Sequence, residues 1–214
     1  MQDKEAVKAS YDRMSRVYGF LSNGSEKRCV EVAIEQLLAP VEGEIVLEPG
    51  FGTGQVLLAL AEKVGETGKV YGIDLSDGML EASKRRLEKE GLSQRVALTR
   101  GDAAKMPYED GFFDAIFMSF TLELFPDEEI PAVLKECMRV LKSGGRLCVA
   151  CMSKKGKQGI MVKLYAWSHR KFPDFVDCRP IFAGQAAMSA GFTAVDGKMM
   201  SMWGLPVEIV LATR

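Results

Sequence analysis

From Ile45 onward, short apolar runs alternate with longer stretches in which apolar positions recur every three or four residues. Strands alternating with amphipathic helices read this way, and the alternation predicts a parallel sheet. Ile45, Val46 and Leu47 form a continuous apolar run, the signature of a strand buried on both faces. Further strands are predicted over 69–76 (KVYGIDLS), 96–103 (VALTRGDA), 113–120 (FDAIFMSF) and 146–152 (RLCVACM). The intervening spacing predicts helices over 55–64, over 78–90 with Met79, Leu80, Ala82 and Leu87 inward, and over 128–141, closed by Lys142, Ser143, Gly144 and Gly145. The pattern loosens over 154–179 and resumes as a short helix over 183–190 ending at Gly191. Two last runs, 194–203 and 207–213, predict an antiparallel hairpin around Gly204, Leu205 and Pro206, which brings the strands to seven.

The first strand ends in Glu48 and then in glycines at alternate positions, Gly50, Gly52 and Gly54, before the helix at Gln55. Strand, glycine turn and helix in that order make a cradle at the carboxyl end of a strand, where open α/β sheets bind cofactors. A dinucleotide fingerprint beginning at Gly50 requires its third glycine at position 55, which is Gln55. A compact turn flanked by an acid suits a cationic, phosphate-free nucleoside better.

On Glu48, Gly50, Gly52 and Gly54 the chain resembles the class I S-adenosylmethionine-dependent methyltransferases, whose first motif has the form E/DxGxGxG. The resemblance runs from about Gly43 to Arg214. It implies an α/β, Rossmann-like methyltransferase fold, a seven-stranded, mostly parallel sheet with its last strand antiparallel and helices on both faces. Asp74, twenty residues beyond Gly54 at the end of the second strand, is placed to meet the ribose edge of a nucleoside lying over the turn. The matching acid of the family does this work; Leu75 and Met79 would neighbour the adenine, and Ser76 is the predicted cap of the next helix. The family's GDA motif matches at Gly101, Asp102 and Ala103, with the Asp102 carboxylate set for the adenine amino group and the Ala103 amide for the ring. Ser119, Phe120 and Thr121 would floor the methionine part. The cofactor implied is S-adenosyl-L-methionine.

Methyl transfer from a sulfonium needs an aligned acceptor, excluded water and, where the acceptor is protonated, a proton sink, so the family shares no catalytic residue. Glu123, just after strand four in TLELF, is the candidate base or acceptor contact. The aromatic segment 11–21 (YDRMSRVYGFL) resembles the opening of the ubiquinone/menaquinone biosynthesis and phospholipid methyltransferases, which covers the cofactor. Tyr11 and Tyr18 are the candidates there, Tyr18 for the catalytic side. A second segment, 161–175, mixes aromatic residues and His169 with Lys163, Arg170 and Lys171. It would cap an apolar acceptor pocket, with His169 as a further candidate base, and its basic residues could touch an anionic membrane surface weakly.

The 214 residues fit one domain, 1–214, divided into a helical cover (1–42), a cofactor core (43–153), a substrate cap (154–182) and a terminal helix and hairpin (183–214). Lys plus Arg number 28 against 29 acids, so no global positive field favours nucleic acid. The amino end has no apolar signal core and no stretch approaches the roughly 20 apolar residues of a membrane span, so a cytoplasmic protein is expected. Five scattered cysteines suit a reducing compartment, and a single histidine excludes a His-rich metal site. Cys148 and Cys151 form a CxxC inside a strand, where residues three apart face opposite ways, so no metal site is expected. The reading that results is methyl transfer to a small-molecule or lipid-like, apolar acceptor. The alternatives are an NAD(P)-dependent oxidoreductase and a non-catalytic nucleotide-binding scaffold; oligomeric state is not encoded in these patterns.

Overall fold

A computed structural model describes residues 24–155 and 179–214. Tyr11, Tyr18 and His169, with the rest of 11–21 and 161–175, lie outside the described residues. Helix α1 (Gly24–Val32) continues into a π-helical turn (Ala33–Leu38), followed by β1 (Ile45–Pro49), α2 (Gln55–Val64), β2 (Lys69–Asp74), α3 (Asp77–Lys89) and β3 (Val96–Arg100). Then come β4 (Phe113–Ser119), a 3₁₀ turn (Leu122–Leu124), α4 (Ile130–Val140), β5 (Leu141–Met152), α5 (Ala183–Ser189), β6 (Thr193–Met202) and β7 (Leu205–Thr213).

The seven strands lie in the order β3-β2-β1-β4-β5-β7-β6. Neighbours from β3 to β5 pair in parallel, while β7 is antiparallel to both β5 and β6. This is the sheet the family resemblance implied, with the last strand inserted antiparallel. Chain order reverses at β1, which has β2 on one side and β4 on the other, and a crevice opens at such a switch point.

Alternation along the strands divides the core in two. Leu47, Ile73, Ile116, Leu147, Val149 and Val210 pack with α4 and α5, and Val46, Val70, Phe117, Ala150 and Ile209 pack with the π-helical turn, α2 and α3. Both sheet faces are therefore covered, which is why the parallel strands read as near-continuous apolar runs. Cys148 falls in the second core and Cys151 in the first, both fully buried. Burial pushes the Cys148 thiol up to about 12.

Two elements differ from the sequence expectation, the end of α4 and the terminal hairpin. Residues 142–145 do not close a helix; α4 stops at Val140, and Leu141 is already extended at φ −71°, ψ 144°. Leu141 pairs with Phe113, and the next pair is Arg146 with Ala115, so Lys142 to Gly145 form a bulge within β5. Gly144 turns there at φ +74°. The bulge also shifts the alternation of β4: Phe113 faces the first core, yet Ala115, two residues on, faces the second. Asp114 fastens the irregularity, accepting from Lys142 Nζ (2.7 Å) and from Ile45 N at the start of β1 (2.9 Å). The terminal hairpin is tighter than expected, with a two-residue turn at Trp203 and Gly204, φ +52° and +79°, and β7 starting at Leu205. Positive φ at both central residues is the turn that matches strand twist.

Candidate functional site

The tips of β1, β2, β3 and β4 open onto one crevice. Its walls include Glu48, Gly50, Gly52, Asp74, Leu75, Met79, Asp102, Ala103 and Ser119. The sequence motifs assign all nine to a cofactor site, and the fold brings them together from four strand ends.

The three glycines do different work. Gly50 sits at φ +72° with Thr121 so close that a Cβ would lie 2.2 Å from the threonine methyl carbon, and the Thr121 hydroxyl lies 3.3 Å from the Gly50 carbonyl oxygen. Gly50 therefore lets the end of β4 close on the turn. At Gly52, φ +51°, a Cβ would meet nothing within 4 Å, because the residue faces the open crevice. Gly54, assigned to the cofactor from the motif, is not part of the crevice wall. A Cβ there would lie 2.6 Å from Ser83 Oγ, so this glycine serves the packing of α2 on α3, where the Ser83 hydroxyl donates to Gly52 O at 2.9 Å.

Asp74 holds the turn in shape: one carboxylate oxygen accepts from Gly52 N and the other from Ser76 N, each at 2.9 Å. Ser76 caps α3 as expected, its hydroxyl accepting from Met79 N at 3.1 Å. Asp102 accepts from Ala104 N at 2.9 Å, an Asx-type turn that points the GDA segment into the crevice. Phe120, also in the wall, is held at φ +50°, a conformation that costs a bulky residue about 1–3 kcal/mol and concentrates at functional sites.

Glu48 is 2% exposed, and its Oε2 is buried with no hydrogen-bond partner among the described residues. Burial first, and then the charge of Asp74, hold its carboxyl well above the usual carboxylate range. Two further acids line the crevice that the sequence reading missed, Glu26 on α1 and Glu129 at the start of α4. Burial raises Glu26 as well. Glu26 had no local signal, since α1 is a short, mostly polar helix. Glu129 had one, an acid directly before the Ile-Pro that opens a helix. The apolar side of the crevice, Leu124, Phe125 and Pro126, was missed as well; its signal is three apolar residues in a turn-rich stretch directly after strand four.

Glu123 requires a correction. It is fully buried, it is not in the crevice wall, and its Oε1 accepts from Met152 N at 3.0 Å. Bonded to a backbone amide inside the protein, this carboxyl group braces the 3₁₀ turn against β5 and stands apart from the described crevice wall, where a base or acceptor contact is expected.

Glu26, Glu48, Asp74, Asp102 and Glu129 all face one crevice, and none of its described wall residues is Lys, Arg or His. Such a wall repels a pyrophosphate and fits a cation. The orphaned Glu48 oxygen and the open face of Gly52 suit a cationic nucleoside laid against the turn.

The comparisons agree with that geometry. A family described as a methyltransferase domain matches residues 46–145. A demethylmenaquinone methyltransferase of Bacillus mycoides is 30% identical over 204 residues, covering 88% of this chain and 82% of its own. The chain belongs to the S-adenosylmethionine-dependent methyltransferases. A demethylmenaquinone methyltransferase of Lactococcus lactis is 28% identical over 227 residues, covering 91% of this chain and 87% of its own. A SAM-dependent methyltransferase of Aquifex aeolicus superposes with a TM-score of 0.70 at 24% identity, covering 93% of this chain and 97% of that one, and supports the fold. The cofactor of this methyltransferase is S-adenosylmethionine, and the oxidoreductase alternative is not favoured.

Proposed function

We propose that this methyltransferase acts on a small apolar acceptor, a ring carbon of a reduced, quinone-like molecule, and that the cofactor lies along the tips of β1, β2 and β3. The reading rests on one observation above others: a carboxylate-rich cradle at Glu48, Asp74 and Asp102 adjoins an apolar wall of Leu124, Phe125 and Pro126. The demethylmenaquinone methyltransferases similar to this chain support the acceptor class. S-adenosylmethionine supplies an electrophilic methyl group on a sulfonium for in-line displacement.

In this reading Asp74 fixes the glycine turn and receives the ribose hydroxyls, Asp102 and Ala103 receive the adenine between Leu75 and Met79, and Glu48 balances the positive end of the cofactor. Ser119 and Phe120 support the methionine portion. The apolar wall excludes water from the acceptor. Glu26, half-buried in the wall with its carboxyl raised, stands where a proton released by a phenolic acceptor could be taken up. Among the described residues no helix is long and apolar enough to cross a membrane. The reading places the enzyme in the reducing cytoplasm, where its scattered thiols stay unpaired, in weak contact at most with a membrane surface that would deliver a lipid-like acceptor.

The test is methyl transfer from labelled S-adenosylmethionine to a dithionite-reduced, prenylated 1,4-naphthoquinone, with product followed by mass spectrometry and phosphoethanolamine as the comparison acceptor. Methylated naphthoquinol is the expected product. Turnover of the amine alone would overturn the acceptor assignment.

A further inference from the structure

The buried Glu123 belongs to a larger closed circuit. Its Oε1 takes the amide of Met152 at the end of β5 (3.0 Å), and the carbonyl of the same Met152 takes the amide of Ile181 (2.9 Å). Lys154 N returns to Ile181 O at 2.9 Å, and Ser153 and Ile181 form an isolated parallel bridge, so the chain around 181 is locked to the strand end. Two residues before Ile181, the Arg179 guanidinium donates through Nη2 to the carbonyl of Phe125, and its Nη1 lies 3.4 Å from Asp127 Oδ1. Phe125 is two residues beyond Glu123. The circuit Met152, Glu123, Phe125, Arg179, Ile181 and back to Met152 is therefore complete.

What the circuit encloses matters. Leu124, Phe125 and Pro126 form the apolar side of the crevice; Leu124 ends the 3₁₀ turn, and the Pro126 carbonyl accepts from Glu129 N (2.9 Å) and Ile130 N (3.2 Å) at the start of α4. Leu124 N reaches Thr121 O at 3.0 Å, but Phe125 N reaches Leu122 O only at 3.4 Å, a long and weak bond. Phe125 is thus the weakly bonded middle of the wall, and from outside it the Arg179 guanidinium holds the Phe125 carbonyl while Glu123 ties the preceding turn to the end of β5. Hydrogen bonds to ionised groups are the strong ones in a protein.

We propose that Arg179 is a positioning residue for the methyl acceptor: with Glu123 it clamps the 124–126 wall to the end of β5. Arg179 is not itself among the described wall residues and reaches the crevice only through the Phe125 carbonyl, away from the cradle at Glu48, Asp74 and Asp102, so it acts on the acceptor side alone. The inference rests on the proposed acceptor site, and its first readout is independent of turnover.

Amide hydrogen exchange by mass spectrometry on the full chain compares wild type with Arg179→Met, which keeps the aliphatic stem and removes both charged contacts. Exchange across 121–129 is expected to rise about tenfold or more while 45–64 is unchanged. With the reduced naphthoquinone as acceptor, the KM for acceptor is expected to rise about tenfold, the Kd for S-adenosylhomocysteine to stay within twofold of wild type, and Arg179→Lys, which can keep one contact, to recover part of the KM. Unchanged exchange over 121–129 overturns the proposal. So does a raised exchange with acceptor KM unmoved, or a loss that falls equally on S-adenosylhomocysteine binding. If wild type does not methylate the naphthoquinol, the acceptor assignment fails, and the clamp stands or falls on the exchange result.

Discussion

Gly52 and Gly54 are two residues apart, both left-handed, and predicted to fail in different ways when changed to alanine. At either position a Cβ in the left-handed region costs about 1–2 kcal/mol. For a chain of this length each kcal/mol lowers the melting temperature by about 2–4 °C. At Gly52 the added methyl meets no protein atom within 4 Å. Gly52→Ala should therefore lose only about 2–8 °C in the unliganded protein. The methyl projects into the crevice, however, and overpacking there costs about 1–3 kcal/mol, a roughly 5- to 150-fold weaker Kd for S-adenosylhomocysteine. At Gly54 the methyl would lie 2.6 Å from Ser83 Oγ and 3.3 Å from the Ser83 Cα. The same overpacking then falls on the fold itself, for a total of about 2–5 kcal/mol, a large part of a typical stability margin of about 5–15 kcal/mol. Differential scanning fluorimetry without ligand and isothermal titration calorimetry with S-adenosylhomocysteine separate the two. Wild-type affinity in Gly52→Ala would refute the placement of the cofactor against the turn, and a Gly54→Ala protein as stable as Gly52→Ala would refute the division of labour.

Asp74→Ala removes the acceptor for Gly52 N and Ser76 N along with the proposed ribose contact; S-adenosylhomocysteine should bind at least ten- to a hundredfold more weakly by calorimetry, from about 1.5–3 kcal/mol for a charge-assisted hydrogen bond. Glu48 has a raised carboxyl in the folded protein, so its contribution to stability is complete below its ordinary value of 4.5 and is lost as pH climbs through the raised one. Glu48→Gln should accordingly stabilise the unliganded protein at pH 8 relative to wild type in urea melts. Binding a cationic cofactor beside Glu48 should release protons, visible as a dependence of calorimetric enthalpy on buffer ionisation and absent in Glu48→Gln. Cys137 and Cys148 are fully buried with thiols pushed up to about 12, so iodoacetamide at pH 8 should leave both unlabelled in the native protein and modify them in urea, as read by peptide mass mapping.

Much of this site was legible because it is written locally. The apolar run at Ile45 to Leu47, Glu48 and the alternate glycines are consecutive, and a turn of that kind has few other uses. Asp74 and Ser119 were legible because each ends a strand, and Asp102 because it follows one by two residues; the carboxyl ends of parallel strands converge. Side-chain burial was less legible. Glu123 reads as the polar start of a loop, yet it lies inside because Met152, twenty-nine residues later, supplies a partner. Gly54 looks like its two neighbours in the motif, and only the approach of Ser83 from α3 separates its task from theirs. The β5 bulge was hidden because Leu141 continues the helical spacing of α4 while its backbone already belongs to the sheet. Glu26 reached the crevice through the docking of α1, with Cys29 buried against Met152, Met202, Leu205 and Val207, a tertiary event with no local trace.

A crystal structure of the enzyme with S-adenosylhomocysteine bound tests the central claim most directly. The account predicts the ribose hydroxyls within hydrogen-bonding distance of Asp74, the adenine between Leu75 and Met79 with its amino group on Asp102, and the sulfur directed toward Phe120 and the 124–126 wall. A nucleoside bound outside this crevice, or bound within it with Asp74 and Asp102 touching neither sugar nor base, would contradict it.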